Sequence, residues 1–205
     1  MKQLYLVRHG EADYESGRLT NTGKRQVQGL SEELTERLPI GKAYSIVSSP
    51  TRRAYETARI LLPLFRSRTG SQVSITRDSG FGQEYSNGSD EYMFRLGKER
   101  VQVLENYGKT CDILFLVSHE GIIAATGIAI AEGANINLPD NFSRIKEYTE
   151  ENVQDAISKF NLPRERVVQR LEESYPDSLP RVGEATAVLF DFDKGLAEVI
   201  SPLLR

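Results

Sequence analysis

The sequence predicts an α/β protein with a mainly parallel sheet, helices on both faces and an antiparallel edge. Three observations carry this. Short apolar runs alternate with longer segments of helical spacing, the order produced by strands joined through crossover helices. The run Ile113 to Val117 has no polar interruption, as in a strand covered on both faces. The chain closes with two apolar runs joined by Asp193-Lys194-Gly195, which reads as a β-hairpin.

The length of 205 residues, with 39% hydrophobic and 27% charged, suits one globular domain with a substantial core. A single domain over residues 1–205 is expected, with a helical, cap-like excursion at 134–185. The net charge of -3 and pI near 5.6 give no general attraction to nucleic acid, so an anionic ligand would need a local basic cluster. The single cysteine, Cys111, excludes an intrachain disulfide and suits a reducing compartment. Arg8 interrupts the first apolar run too early for a signal peptide, and no stretch approaches a membrane span. A cytoplasmic location without membrane association is the expectation.

The first strand, Leu4 to Val7, delivers Arg8, His9 and Gly10 to the carboxyl edge of the sheet, where ligands of parallel sheets bind. The polar segment Glu11 to Gly17 follows as a loop. Thr20 is placed to cap a helix whose apolar face is Val27, Leu30, Leu34 and Leu38, and Pro39 and Gly41 end it. Ala43 to Ser48 is the second strand. Ser49 is the expected cap of the next helix, with Pro50 in its first position; Ala54, Ala58, Leu61 and Phe65 form the buried face, and Pro63 should kink or end it. Val73 to Thr76 is a short third strand, and Ser79 to Ser89 a glycine-rich loop containing Glu84. Asp90 to Asn106 is helical by pattern. After the Ile113 strand come Ser118-His119-Glu120-Gly121 and an apolar helix to about Ala131. Within 134–185, two short amphipathic helices are expected near 149–160 and 163–175. Thr186 to Phe192 and Leu196 to Ile200 form the closing hairpin.

Several phosphate-handling motifs fail on counting. Six positions after Cys111 stands Val117 rather than the arginine of a cysteine phosphatase. Gly17 and Gly23-Lys24 are one residue too far apart for a phosphate-binding loop, and Arg25 follows the lysine. No Gly-x-Ser-x-Gly elbow occurs. Asp191-Phe192-Asp193 runs into the hairpin turn. The chain's two histidines lack zinc-site spacing, so no metal or other cofactor is expected.

What remains is a constellation at one sheet edge: Arg8 and His9 after the first strand, Arg53 after the second, Glu84 after the third and His119 after the fourth. Each alone has a structural alternative, as a surface charge, a solvated loop acid or a strand-end hydrogen bonder. Together they make a phosphoryl pocket. A guanidinium binds two phosphoryl oxygens, exposed helix amides add to it, and a neutral imidazole can attack phosphorus.

These blocks resemble the histidine phosphatase superfamily, which includes the cofactor-dependent phosphoglycerate mutases. Leu6-Val7-Arg8-His9-Gly10-Glu11 is similar to its signature, Leu19 to Gln26 to its Leu-Thr-x-x-Gly-x-x-Gln, Ser49 to Ala58 to its second basic motif, and Val117 to Gly121 to the segment with the second histidine. The resemblance implies a phosphoglycerate mutase-like, three-layer α/β/α fold and metal-independent chemistry through a phosphohistidine. His9 would be the nucleophile, Arg8, Gly10, Arg53 and His119 would bind the phosphoryl group, and Glu84 would donate the proton. Gly88 stands at the family spacing, but Ser89-Asp90-Glu91 replaces the usual Trp-Glu-Gly.

Within the family, the chain lacks the Ser-x-Trp-Asn that follows the mutase signature, and Tyr85 replaces the arginine that mutases carry after the proton donor. Phosphomonoester hydrolysis is therefore expected. A phosphoglycerate mutase and a catalytically weak, phospho-ligand-binding regulatory relative are the alternatives. The expected partner is a small phosphorylated metabolite or a phosphoprotein, and the sequence leaves the natural substrate and the oligomeric state open.

Overall fold

The computed structural model describes residues 1–13, 15–70, 72–82, 90–139 and 183–202. Its elements are β1 (Gln3–Arg8), α1 (Asn21–Arg37), β2 (Tyr44–Ser48), α2 (Arg52–Thr69), β3 (Ile75–Arg77), α3 (Asp90–Gly108), β4 (Ile113–Ser118), α4 (Glu120–Ala134), β5 (Ala187–Asp191) and β6 (Leu196–Ile200). A 3-10 turn at Ser79–Phe81 follows β3. No described helix is long and apolar enough to cross a membrane.

The strands form one six-stranded sheet in the order β3-β2-β4-β1-β5-β6. The pairs β2 with β3, β2 with β4 and β1 with β4 are parallel, whereas β5 lies antiparallel to both β1 and β6. This is the expected mainly parallel sheet with an antiparallel edge. The period-two alternation of strand side chains divides the core into two layers. Tyr5, Val7, Phe115 and Val117 join Leu30 and Leu34 of α1 and Leu61 and Phe65 of α2 on one face. Leu4, Leu6, Leu114 and Leu116 join Leu104 of α3 and Ile122 of α4 on the other. Helices thus cover both faces, which is why β1 and β4 read as unbroken apolar runs.

Register places the functional edge. Arg8 pairs with Ser118, and Ser48 with Val117, so β1, β2 and β4 end level with one another. Because β5 runs the opposite way, its beginning lies at that edge too, with Ala187 opposite Val7.

Thr20 caps α1 as expected, its hydroxyl oxygen accepting from the Gly23 amide at 2.9 Å. Three expectations need correction. Helix α2 begins at Arg52 with Thr51 as its cap residue, not at Pro50 behind Ser49; the Ser49 hydroxyl accepts from the Thr51 amide at 3.3 Å and also lies 3.0 Å from Nε2 of His119. Pro63 does not end α2, which continues to Thr69. Pro63 lies on the exposed face, and the cost of a proline inside a helix, about 3 kcal/mol, is offset by burying Leu64 and Phe65, each worth about 1.5–3 kcal/mol. Strand β3 starts at Ile75 rather than Val73; Val73 is buried in the core without joining the ladder, which begins at the Ile46–Ile75 pair. The two expected helices near 149–160 and 163–175 lie outside the described residues.

Candidate active site

The ends of β1, β2 and β4 bring Arg8, His9, Arg53 and His119 together. His9 follows β1 directly and is 6% exposed. Its backbone is fixed from both sides, its amide donating to Ser118 O at 3.1 Å and its carbonyl accepting from the Ala185 amide at 3.1 Å. Hydrogen-bond partners define the ring tautomer. Nδ1 lies 2.7 Å from the carbonyl oxygen of Gly10, which can only accept, so Nδ1 carries the proton. Nε2 then presents a lone pair, and Arg53 Nε donates to it at 3.0 Å.

Gly10 is required here by close approach rather than by its own dihedrals. A Cβ at Gly10 would stand 2.5 Å from the carbonyl oxygen of Gly23, and one at Gly23 would stand 2.0 Å from that of Glu11. The loop after β1 is thereby pressed onto the first turn of α1. The Glu11 amide donates to Gln26 Oε1 at 2.8 Å, and the Thr20 hydroxyl donates to Glu11 Oε1 at 2.6 Å. The Thr20, Gly23 and Gln26 positions noted in the sequence therefore seat the loop that carries His9.

His119 is the cap residue of α4 and is 4% exposed. Its Nε2 lies 3.0 Å from Ser49 Oγ and 3.1 Å from Thr51 Oγ1, and its Nδ1 faces Nη2 of Arg53 at 3.4 Å. A guanidinium only donates, so Nδ1 accepts and Nε2 bears the proton directed at the two hydroxyls. The two imidazoles meet edge to face with centroids 5.1 Å apart. Burial lowers the His9 pKa to about 4, with Arg53 and Arg8 adding to the shift against the Gly10 hydrogen bond. Burial, then His9 and the two arginines, lowers that of His119 to about 2. Both rings are neutral near pH 7.

Arg53, not its neighbour Arg52, reaches the site. The Arg52 side chain is half exposed and pairs with Glu56 at 3.2 Å along α2. Glu56 Oε2 in turn accepts from the Leu19 amide at 2.9 Å, tying α2 to the loop before α1. Arg8 pairs with Glu120 at 3.3 Å and with Glu184 at 3.9 Å. Glu84 lies outside the described residues. Among the described residues, no group of three or more His, Cys, Asp and Glu is placed to hold a metal ion.

The sequence reading missed the contacts of Ser49 and Thr51 with His119, of Thr57 with the Gly10 amide at 3.3 Å, and of Glu184 with Arg8. The first three lie inside the quoted motifs and could have been found there. Glu184 could have been found by noting that an antiparallel strand begins where its parallel neighbours end. Chemically, the arrangement offers an unprotonated ring nitrogen on a buried histidine, bonded to one guanidinium and within the electrostatic reach of a second, that of Arg8.

Residues 4–81 match the family model described as the histidine phosphatase superfamily (branch 1). No curated protein sequence matches the chain. Among solved structures, a putative alpha-ribazole-5'-P phosphatase from Escherichia coli K-12 superposes with a TM-score of 0.53 at 15% identity, covering 98% of this chain and 95% of that one. A phosphoserine phosphatase from Entamoeba histolytica, solved with 3-phosphoglyceric acid, gives a TM-score of 0.52 at 15% identity over 100% of this chain and 98% of that one. At such identity the likeness is one of fold.

Proposed function

We propose that this chain, a histidine phosphatase superfamily protein by its residues 4–81, hydrolyses phosphomonoesters through a phosphohistidine at His9. The observation that carries this reading is the pair of bonds on the His9 ring. Nδ1–H is anchored on Gly10 O, and the Nε2 lone pair is aimed at Arg53, where a phosphoryl oxygen could take over the guanidinium. The two fold relatives named above are phosphatases by name, which agrees with hydrolysis.

In the first step Nε2 attacks phosphorus, the P–N bond forms and the P–O bond to the alcohol breaks. The leaving oxygen keeps the electron pair and takes a proton from Glu84. In the second step water attacks phosphorus and gives a proton to the Glu84 carboxylate. The P–N bond then breaks, its electron pair returning to Nε2, and inorganic phosphate leaves. Arg8 and Arg53 supply the positive charge that the phosphoryl oxygens need in both transition states, and His119, whose Nε2–H is directed at Ser49 and Thr51, forms the wall of the site and positions Arg53 through Nδ1. A small phosphorylated metabolite is the substrate class this pocket suits.

Steady-state release of phosphate from p-nitrophenyl phosphate and from alkyl phosphates by the purified chain tests the reading. Turnover by the wild type and its loss in His9→Ala are expected; no turnover of any phosphomonoester would overturn it.

A further inference from the structure

Arg8 stands between two carboxylates of different character. Glu120, at the amino end of α4, meets Nη1 at 3.3 Å and its side chain is 12% exposed. The positive end of the helix dipole favours its charge there, which makes it a fixed partner of Arg8. Glu184 meets Nη2 at the looser distance of 3.9 Å and its side chain is 29% exposed.

The placement of Glu184 is built into the backbone. It occupies a tight turn in which the Thr186 amide donates to Gly183 O at 3.2 Å. The next residue, Ala185, is fully buried and adopts φ 50, a left-handed conformation that a side chain disfavours. Its amide donates to the carbonyl oxygen of His9 at 3.1 Å. One hydrogen bond therefore joins the turn that carries Glu184 to the backbone of the proposed nucleophile.

Among the described residues, the charges of Arg8, Arg53, Glu120 and Glu184 cancel, and both imidazoles are neutral. A phosphoryl dianion that takes Nη2 of Arg8 displaces Glu184 from its partner and then lies beside that carboxylate. Like charges so close oppose binding unless a cation intervenes, and a substrate can bring that cation itself. We propose that Glu184 is a specificity-determining residue that selects phosphomonoesters of amino alcohols, its carboxylate receiving the substrate ammonium while the phosphoryl group takes Arg8. The same carboxylate works against esters whose alcohol carries a second anion, a repulsive element of the kind that specific sites use. This inference rests on the assignment of the His9 and Arg53 pocket as the phosphoryl site.

The test compares kcat/KM for three esters of similar size: 2-aminoethyl phosphate, 2-hydroxyethyl phosphate and phosphoglycolate. The wild type should prefer the aminoethyl ester over the hydroxyethyl ester by about tenfold, the size of one charge-assisted contact, and should disfavour phosphoglycolate. In E184Q the first preference should collapse towards unity and phosphoglycolate should gain relative to the hydroxyethyl ester. If E184Q does not fold, E184D, which withdraws the carboxylate by one methylene, should narrow the same ratios. A wild-type ratio near or below unity, or ratios unchanged in the variants, would overturn the role of Glu184 while turnover of p-nitrophenyl phosphate left the phosphatase reading standing. Absence of turnover on every ester, p-nitrophenyl phosphate included, would overturn that reading itself.

Discussion

Arg53 donates from Nε to Nε2 of His9 at 3.0 Å, so the guanidinium occupies the direction from which a phosphorus atom would approach. A phosphoryl group entering the site exchanges this contact for its own, and the cation moves from the nucleophile to the group being attacked. Arg53→Lys keeps the charge but not the planar fork, and should lower kcat/KM on p-nitrophenyl phosphate about a hundredfold. Arg52→Ala, which breaks only the surface pair with Glu56, should stay within about threefold. Equal losses at the two positions would contradict the placement of Arg53.

The histidines also set a pH dependence. The chain has only two, His9 and His119, held at about 4 and about 2 against an ordinary value of 6.5. In the unfolded chain both bind protons as the pH falls through 6.5, whereas in the folded chain they do not until well below it. The unfolded state therefore holds more protons in that window, and stability falls as the pH drops. Stability should be full above pH 6.5 and decline towards pH 4, where His9 finally protonates, with the His119 contribution falling further. NMR of the two rings should show no titration between pH 8 and 5, and Tm should fall less steeply across pH 6.5 to 4 in His119→Asn. A titration near 6.5 for either ring would contradict its neutral, buried role.

The parallel core of the fold and most of the site were legible because the signals were local. Leu4 to Val7 and Ile113 to Val117 are buried on both faces, and each is followed, after one intervening residue, by a histidine. Thr20 could be assigned as a cap because its own hydroxyl makes the bond. Ser49 was only partly legible: its hydroxyl accepts from the Thr51 amide at 3.3 Å, as a cap would, but the helix starts two residues later than expected, and the same oxygen also meets His119, 70 positions away in sequence. Pro63 misled as a helix end because local propensity cannot weigh Leu64 and Phe65, whose burial depends on the whole face of α2. Glu184 was hidden by topology, since only the reversal of β5 brings it beside Arg8.

The contact between the loop after β1 and the first turn of α1 leaves no room for a methyl group. Gly10→Ala and Gly23→Ala should each cost about 1–3 kcal/mol, lowering Tm by about 2–4 °C per kcal/mol, and should reduce activity by shifting His9. Gly133→Ala in α4, where a Cβ meets nothing within 4 Å, should hold or raise Tm. Thermal unfolding of the three variants checks the ranking, and an unchanged Tm in Gly10→Ala would show that the loop has slack.

If Glu84 donates the proton to the leaving oxygen, its removal should matter most for a basic leaving group. Glu84→Gln should slow single-turnover phosphorylation of His9 roughly a hundredfold or more with an alkyl phosphate. With p-nitrophenyl phosphate, whose phenolate leaves unaided, the loss should be small. Equal losses would indicate a positioning role. No loss on either ester would move the search to other carboxylates; Glu11 is engaged with Thr20 and Glu120 with Arg8, and each would have to leave its partner.

The most direct measurement is the chemistry of the enzyme quenched during turnover. Protein stopped with alkali within the first turnover should carry phosphate that is base-stable and acid-labile, and the labelled peptide should contain His9, with phosphorus on Nε2. His9→Ala should carry no label and show no turnover. Phosphate recovered on another residue, or wild-type turnover by His9→Ala, would contradict the account.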